Sequence, residues 1–183
     1  MLAALGERLA ARNERFELVV IGGSALLALR LVDRATRDVD LLAIRRGSNL
    51  VPADPLPETL LEAVAEIARD FSLPLDWLNA GPSSLLDFGL PSGFESRLER
   101  REYGGFLTIW LASRLDQIHF KLYAVTDQGP GKHEQDLRAL DPAPSELLDA
   151  ARWAITHDPS SGFRQELLHA LASLGVEDAD LGA

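Results

Sequence analysis

The spacing of apolar and polar positions divides the chain into alternating helical and extended stretches. Leu2, Leu5 and Leu9 recur at helical spacing, with Glu7, Arg8 and Arg12 on the other side, which predicts an amphipathic helix over residues 2–12. Leu18 to Ile21 is a β-branched apolar run stopped by Gly22-Gly23 and reads as a buried strand. Ser24 to Leu31 is apolar nearly all round and suits a short buried helix. Asp38 to Ile44 is apolar again except for two carboxylates, and reads as a second strand. Residues 47–57 contain three prolines within six positions and are expected to be loop.

Further along, Leu60, Val64, Ile67 and Phe71 mark a helix over 58–71, and Leu73 to Asn79 a short extended edge segment. Residues 81–105 are rich in Gly, Ser, Pro and charge and read as loop with short helical pieces; Arg97, Arg100 and Arg101 in it read as a solvated face. Phe106 to Leu111 is the last strand. Ser113 then opens a helix with Asp116 completing an approximate capping box, and Leu115, Ile118, Leu122 and Val125 form its stripe. On a helical wheel Lys121 lies off that stripe, which predicts an ammonium emerging at the rim of the buried face. A loop over 127–131, a helix over 132–140 and two helices from about 144 and 163 complete the chain. These elements make an α/β fold, a mixed sheet flanked by helices over residues 1–140, with a C-terminal helical hairpin over 141–183 packed on it.

Composition narrows the setting. The 183 residues are 46% hydrophobic, enough for a real core, and lack the 18-residue apolar run of a membrane span. With no cysteine there is no disulfide, thiolate chemistry or zinc–cysteine site. The first residues lack the basic-then-apolar pattern of a secretion signal, so a cytoplasmic setting without membrane attachment is expected. A net charge of −10 argues against general nucleic-acid coating. From Asp141 onward, however, eight acidic residues face two basic ones, while Arg30, Arg34, Arg37, Arg45 and Arg46 flank the carboxylate pair. A local basic rim there could seat phosphates.

The chemistry concentrates between Leu18 and Ile44. In a strand, residues two apart share a face, so Asp38 and Asp40 point one way and Val39 the other. Like charges so close in an apolar segment repel and lose hydration, and a divalent cation between them removes both penalties. Mg²⁺ (or Mn²⁺) suits two carboxylates plus phosphate oxygens and water. Upstream, Gly22-Gly23-Ser24 lets phosphate approach backbone N–H groups at a helix start, and the Ser24 hydroxyl adds a donor.

The pattern apolar strand, Gly-Gly-Ser, helix, Arg-x-Thr-x-Asp-x-Asp, apolar strand resembles the signature of the polymerase-β-like nucleotidyltransferase superfamily. It is most similar to small bacterial members related to the abortive-infection toxins of toxin–antitoxin systems. The resemblance implies a Mg²⁺-dependent transfer of a nucleoside monophosphate from a nucleoside triphosphate to a hydroxyl of an RNA, protein or small molecule. It implies that Gly22, Gly23, Ser24 and Arg37 contact the nucleotide and that Asp38 and Asp40 are catalytic and hold the metal. A third carboxylate usually stands on a neighbouring strand, and Asp76 is the candidate. Phe120-Lys-Leu-Tyr-Ala124 and Lys132-His-Glu-Gln-Asp-Leu-Arg-Ala-Leu140 resemble a second block of the toxin-like members. By that resemblance Lys121 reaches the substrate phosphates and Asp136 supports the site, while His133 is a secondary candidate for a general base. The rival expectation is a non-catalytic module of the same fold, an antitoxin or nucleotide-sensing partner of a cognate protein. A phosphatase or nuclease using Asp-x-Asp is a weaker alternative, because a nucleophilic aspartate has no need of the Gly-Gly-Ser helix start.

Overall fold

A computed structural model describes residues 1–36, 38–177 and 179–181. Its strands are β1 (Phe16–Ile21), β2 (Val39–Arg46), β3 (Asn49–Pro52), β4 (Leu78–Asn79), β5 (Glu99–Tyr103) and β6 (Leu107–Leu111). Its helices are α1 (Leu2–Ala11), α2 (Gly22–Ala28), α3 (Glu58–Asp70), α4 (Arg114–Gln128), α5 (Lys132–Ala139), α6 (Pro144–Ala154) and α7 (Ser161–Ser173). The sheet runs β3-β2-β1-β6-β5, with β4 paired to the start of β2. β1 and β6 are parallel; β1–β2, β2–β3 and β5–β6 are antiparallel. The fold is thus a mixed sheet flanked by helices, as the apolar spacing indicates.

That topology places the chemistry. β1 and β6 end on the same side of the sheet and lead into α2 and α4, while antiparallel β2 begins there. Ile21 therefore pairs with Asp40, and β4 brings Asn79 opposite Asp40 from the other side. Leu5, Leu9, Leu60, Val64 and Ile67 of α1 and α3 cover one face of the sheet, together with Trp77. On the opposite face Phe120 of α4 packs against Val19, Ile21 and Leu42. α6 and α7 are held by a cluster they share with Leu26 of α2, Ile118 and Leu122 of α4 and Leu137 of α5. Ser113 caps α4 as its sequence suggests: its Oγ accepts from the Asp116 backbone N–H at 3.3 Å.

Two segments read as loop are strands. β3 lies inside the proline-rich stretch, and Pro52 is tolerated because it ends an edge strand. β5 is Glu-Arg-Arg-Glu-Tyr, a charged run with no apolar alternation, and it too is an edge, where charge discourages pairing with another chain. Conversely, the loop expected over 127–131 shrinks, because α4 continues through Gln128 to a Gly129 cap.

Candidate active site

Gly22 opens the site. Its φ of +73° is a conformation that glycine adopts without strain, and a Cβ there would stand 2.4 Å from Asp40 Oδ2. The turn is fixed from α4: the Gly22 N–H donates to Gln117 Oε1 at 3.1 Å. Gly23 is packed differently, with its Cβ direction filled by Arg34 and Thr36. Gly22→Ala is expected to cost about 1–3 kcal/mol of backbone strain. It should also displace Asp40, so a lowered melting temperature and loss of Mg²⁺-dependent nucleotide binding in calorimetry would appear together.

Asp38 stands just before β2 and accepts from Thr36 Oγ1 at 2.7 Å; Asp40 accepts from Asn79 Nδ2 at 3.2 Å. Burial raises the Asp40 carboxyl above its ordinary value, the Asn79 hydrogen bond opposes that, and the Asp38 charge adds to the rise. The two carboxylates thus act on one another, while Val39 between them is in the core. Among the described residues, no group of three Asp, Glu or His side chains is placed to hold a metal. The donor set is two hard carboxylates, which fits a cation that completes its shell with phosphate oxygens and water.

Asp76 is not brought to this site. It is exposed in the turn before β4, which is anchored by buried Trp77 through Nε1–H to Val64 O at 3.0 Å. The neighbouring-strand position opposite Asp40 carries Asn79 instead. Arg37, expected at the nucleotide, lies outside the described residues.

Lys121 departs from its expected rim position. α4 is the central helix and is buried nearly all round, so Lys121 is only 4% exposed, and its ammonium donates to Asp136 Oδ2 at 2.7 Å. Asp136 also receives both arms of the Arg34 guanidinium, at 2.6 Å each. Burial alone would raise the Asp136 carboxyl; the hydrogen bonds and charges of Arg34 and Lys121 overcome that and hold it below its ordinary value. One carboxylate therefore ties the segment leading to Asp38 onto α4 and α5. His133 is held neutral, its value lowered to about 4 by burial and by the charges of Lys121 and Lys132. Arg97 is also structural, since it pairs with buried Asp116 at 2.5 Å.

These groups border a cavity of about 480 Å³ lined by Gly22, Asp40, Asn79, Gln117, Lys121 and His133 at one end and by Pro82, Leu85, Phe88 and Tyr123 at the other. Ser24 Oγ, Gln117 Nε2 and His133 Nδ1 are buried without a hydrogen-bond partner among the described residues. Gln117 and His133 line the cavity, and Ser24 lies on the α2 turn that borders it. Gln117 and Asn79 are the members that sequence reading missed. Arg34 carried a signal, as part of the arginine cluster.

Residues 1–139 match the family described as "Nucleotidyltransferase of unknown function (DUF6036)". The chain belongs to this family. The DUF6036 match spans α1 through α5, and so includes every residue of the carboxylate pair, the Gly-Gly-Ser turn and the Lys121–Asp136–Arg34 cluster. No curated protein and no solved structure matches the chain. Among the described residues no helix is long and apolar enough to cross a membrane.

Proposed function

We propose that this nucleotidyltransferase-family domain is an enzyme that moves a nucleoside monophosphate from a nucleoside triphosphate to an acceptor hydroxyl, releasing pyrophosphate. The observation that carries the reading is the meeting of Asp40, the tight Gly22 turn and Lys121 in a single cavity. A Mg²⁺ or Mn²⁺ ion on Asp38 and Asp40, once bound, would supply Lewis-acid activation of the attacked phosphoryl group. The chain's own groups do the rest. The orphaned Ser24 hydroxyl and Gln117 amide donate to phosphate oxygens at the α2 turn. Lys121, held in place by its hydrogen bond to Asp136, neutralises the tail as charge develops on the leaving pyrophosphate. Asn79 orients Asp40 through its amide.

The acceptor is a hydroxyl of RNA, protein or a small molecule, and a toxin held by a cognate partner is the biological setting that the resemblance implies. Incubation with each labelled nucleoside triphosphate and cell extract, followed by separation of RNA from protein, identifies the acceptor class. The binding step has its own test. Nucleoside triphosphate should bind appreciably in calorimetry with Mg²⁺ or Mn²⁺ and lose that affinity in EDTA. Equal affinity in both would separate the carboxylates from the phosphates and remove the basis of the proposal.

A further inference from the structure

The cavity changes character along α4. Gln117, Lys121, Ala124 and Gln128 face it at intervals of four, three and four residues, so one stripe of the helix serves its whole length, about 16 Å by helical rise. The inner end is polar, with Gln117 on the Gly22 N–H and Lys121 on Asp136. The outer end is aromatic and aliphatic. Phe88, 59% exposed, and Tyr123 line it with Pro82 and Leu85, and Asp127 and Gln128 stand at its edge. The Asp127 charge acts on the Tyr123 phenol, which burial first and then this carboxylate push above its ordinary value.

These rings are backed from outside the family match. His157 packs at 5.4 Å from the Phe88 ring and 5.5 Å from Tyr123, and Trp153 lies 4.1 Å from His157. The Trp153 Nε1–H donates to the Gly89 carbonyl at 3.1 Å, which pins the loop carrying Phe88. An exposed Phe is thus fixed from behind with its free side toward the cavity mouth.

We infer that the outer half of the cavity is a nucleobase seat, walled by Phe88 and Tyr123, in which Asp127 selects guanine. This rests on the reading of the inner half as the triphosphate site. A planar base has two π-faces and gains affinity by stacking whatever its identity. A carboxylate only accepts hydrogen bonds. Guanine alone among the four common bases presents two adjacent donors, N1–H and the 2-amino group, on its pairing edge. Adenine, cytosine and uracil each set an acceptor beside the donor, and that acceptor faces the carboxylate unfavourably. The polarity of the cavity also orders the ligand, since phosphates belong beside Lys121 and Lys132 and the base at the end without cations.

Titration of the full chain in Mg²⁺ with GTP, ATP, CTP, UTP and inorganic tripolyphosphate tests the assignment. GTP should bind about tenfold more tightly than the other nucleotides. Phe88→Ala should weaken every nucleotide about tenfold and leave tripolyphosphate unchanged. Asp127→Asn, which offers one acceptor and one donor, should abolish the preference for GTP over ATP, again with tripolyphosphate unchanged. Nucleotides that bind wild type no better than tripolyphosphate, or a Phe88→Ala variant with unaltered nucleotide affinity, would overturn the seat. A wild type that prefers another base, or an Asp127→Asn variant that retains the GTP preference, would overturn the role of Asp127. Failure of wild type to bind tripolyphosphate and all four nucleotides alike would instead overturn the triphosphate reading beneath it.

Discussion

Asp40→Asn should lower nucleotidyl transfer by at least about 10³-fold while leaving the metal-free protein as stable as wild type or more so. The activity loss follows from removing one of the two carboxylates that would hold the metal. The stability outcome follows from the environment of Asp40. Burial penalises its charge and Asp38 repels it, whereas the favourable Asn79 hydrogen bond survives in the variant because an amide oxygen accepts from Nδ2–H as well. Asparagine keeps the size and removes the cost, the trade of stability for function expected of a built site. Calorimetric unfolding without metal, alongside transfer of labelled nucleotide, measures both. Mg²⁺ plus nucleotide at a hundredfold excess over Kd should stabilise wild type by about 2.7 kcal/mol and the variant hardly at all. An asparagine variant that unfolds several degrees earlier without metal would make Asp40 a structural acceptor, and the catalytic proposal would lose its main support.

Asp136→Ala should be the most destabilising single change at the site, about 3–5 kcal/mol, because it strands the buried Lys121 ammonium without a counter-charge. Lys121→Met should cost the fold less, since Arg34 still holds Asp136 with two hydrogen bonds. Its transfer rate should nevertheless fall about 10- to 100-fold, the loss of about 1.4–2.8 kcal/mol of charge stabilisation. The pH dependence has a definite sign. The Asp136 carboxyl is held below its unfolded value of 3.8, so its contribution is complete above that value and is lost as pH falls through the folded one. The stability gap between wild type and Asp136→Ala should therefore be constant near neutrality and close only in acid. Urea unfolding across that range decides it; a gap that closes near neutral pH would contradict a depressed carboxylate.

The strands and helices with strong apolar periodicity were legible from the sequence, and so was the Gly-Gly-Ser turn between β1 and α2. β1 and β2 form close to where Leu18–Ile21 and Asp38–Ile44 indicate, because local pattern and burial agree there; α2 spans Gly22–Ala28 and ends three residues before the Leu31 that the apolar run suggests, with Arg30 at a φ of +59° beyond it. Edges were not legible. β3 and β5 pair with β2 and β6 and add only Leu50, Val51 and Tyr103 to the core, too short an apolar signal in Asn-Leu-Val-Pro or Glu-Arg-Arg-Glu-Tyr to announce a strand. The position of Lys121 was missed for a related reason. A helical wheel gives direction around α4 but not how many neighbours surround it, and α5 with Asp136 closes the side that the wheel left open. Asp76 illustrates the limit of proximity in sequence: three residues decide whether a side chain meets Asp40 or solvent, and Asn79 occupies the paired position.

The shared carboxylate also constrains how this site can change over generations. Asp136 serves Arg34 and Lys121 at once, so its loss takes the partner carboxylate from both cations together, whereas losing either cation leaves Asp136 paired with the other. Among the described residues, Asp38 and Asp40 accept only from the neutral side chains of Thr36 and Asn79, so replacing either carboxylate strands no cation. If the proposed transfer is this family's activity, a descendant released from it would shed the carboxylate pair first and keep the Arg34–Asp136–Lys121 clasp. Among related chains, an intact clasp beside a missing pair would mark a binding protein descended from an enzyme.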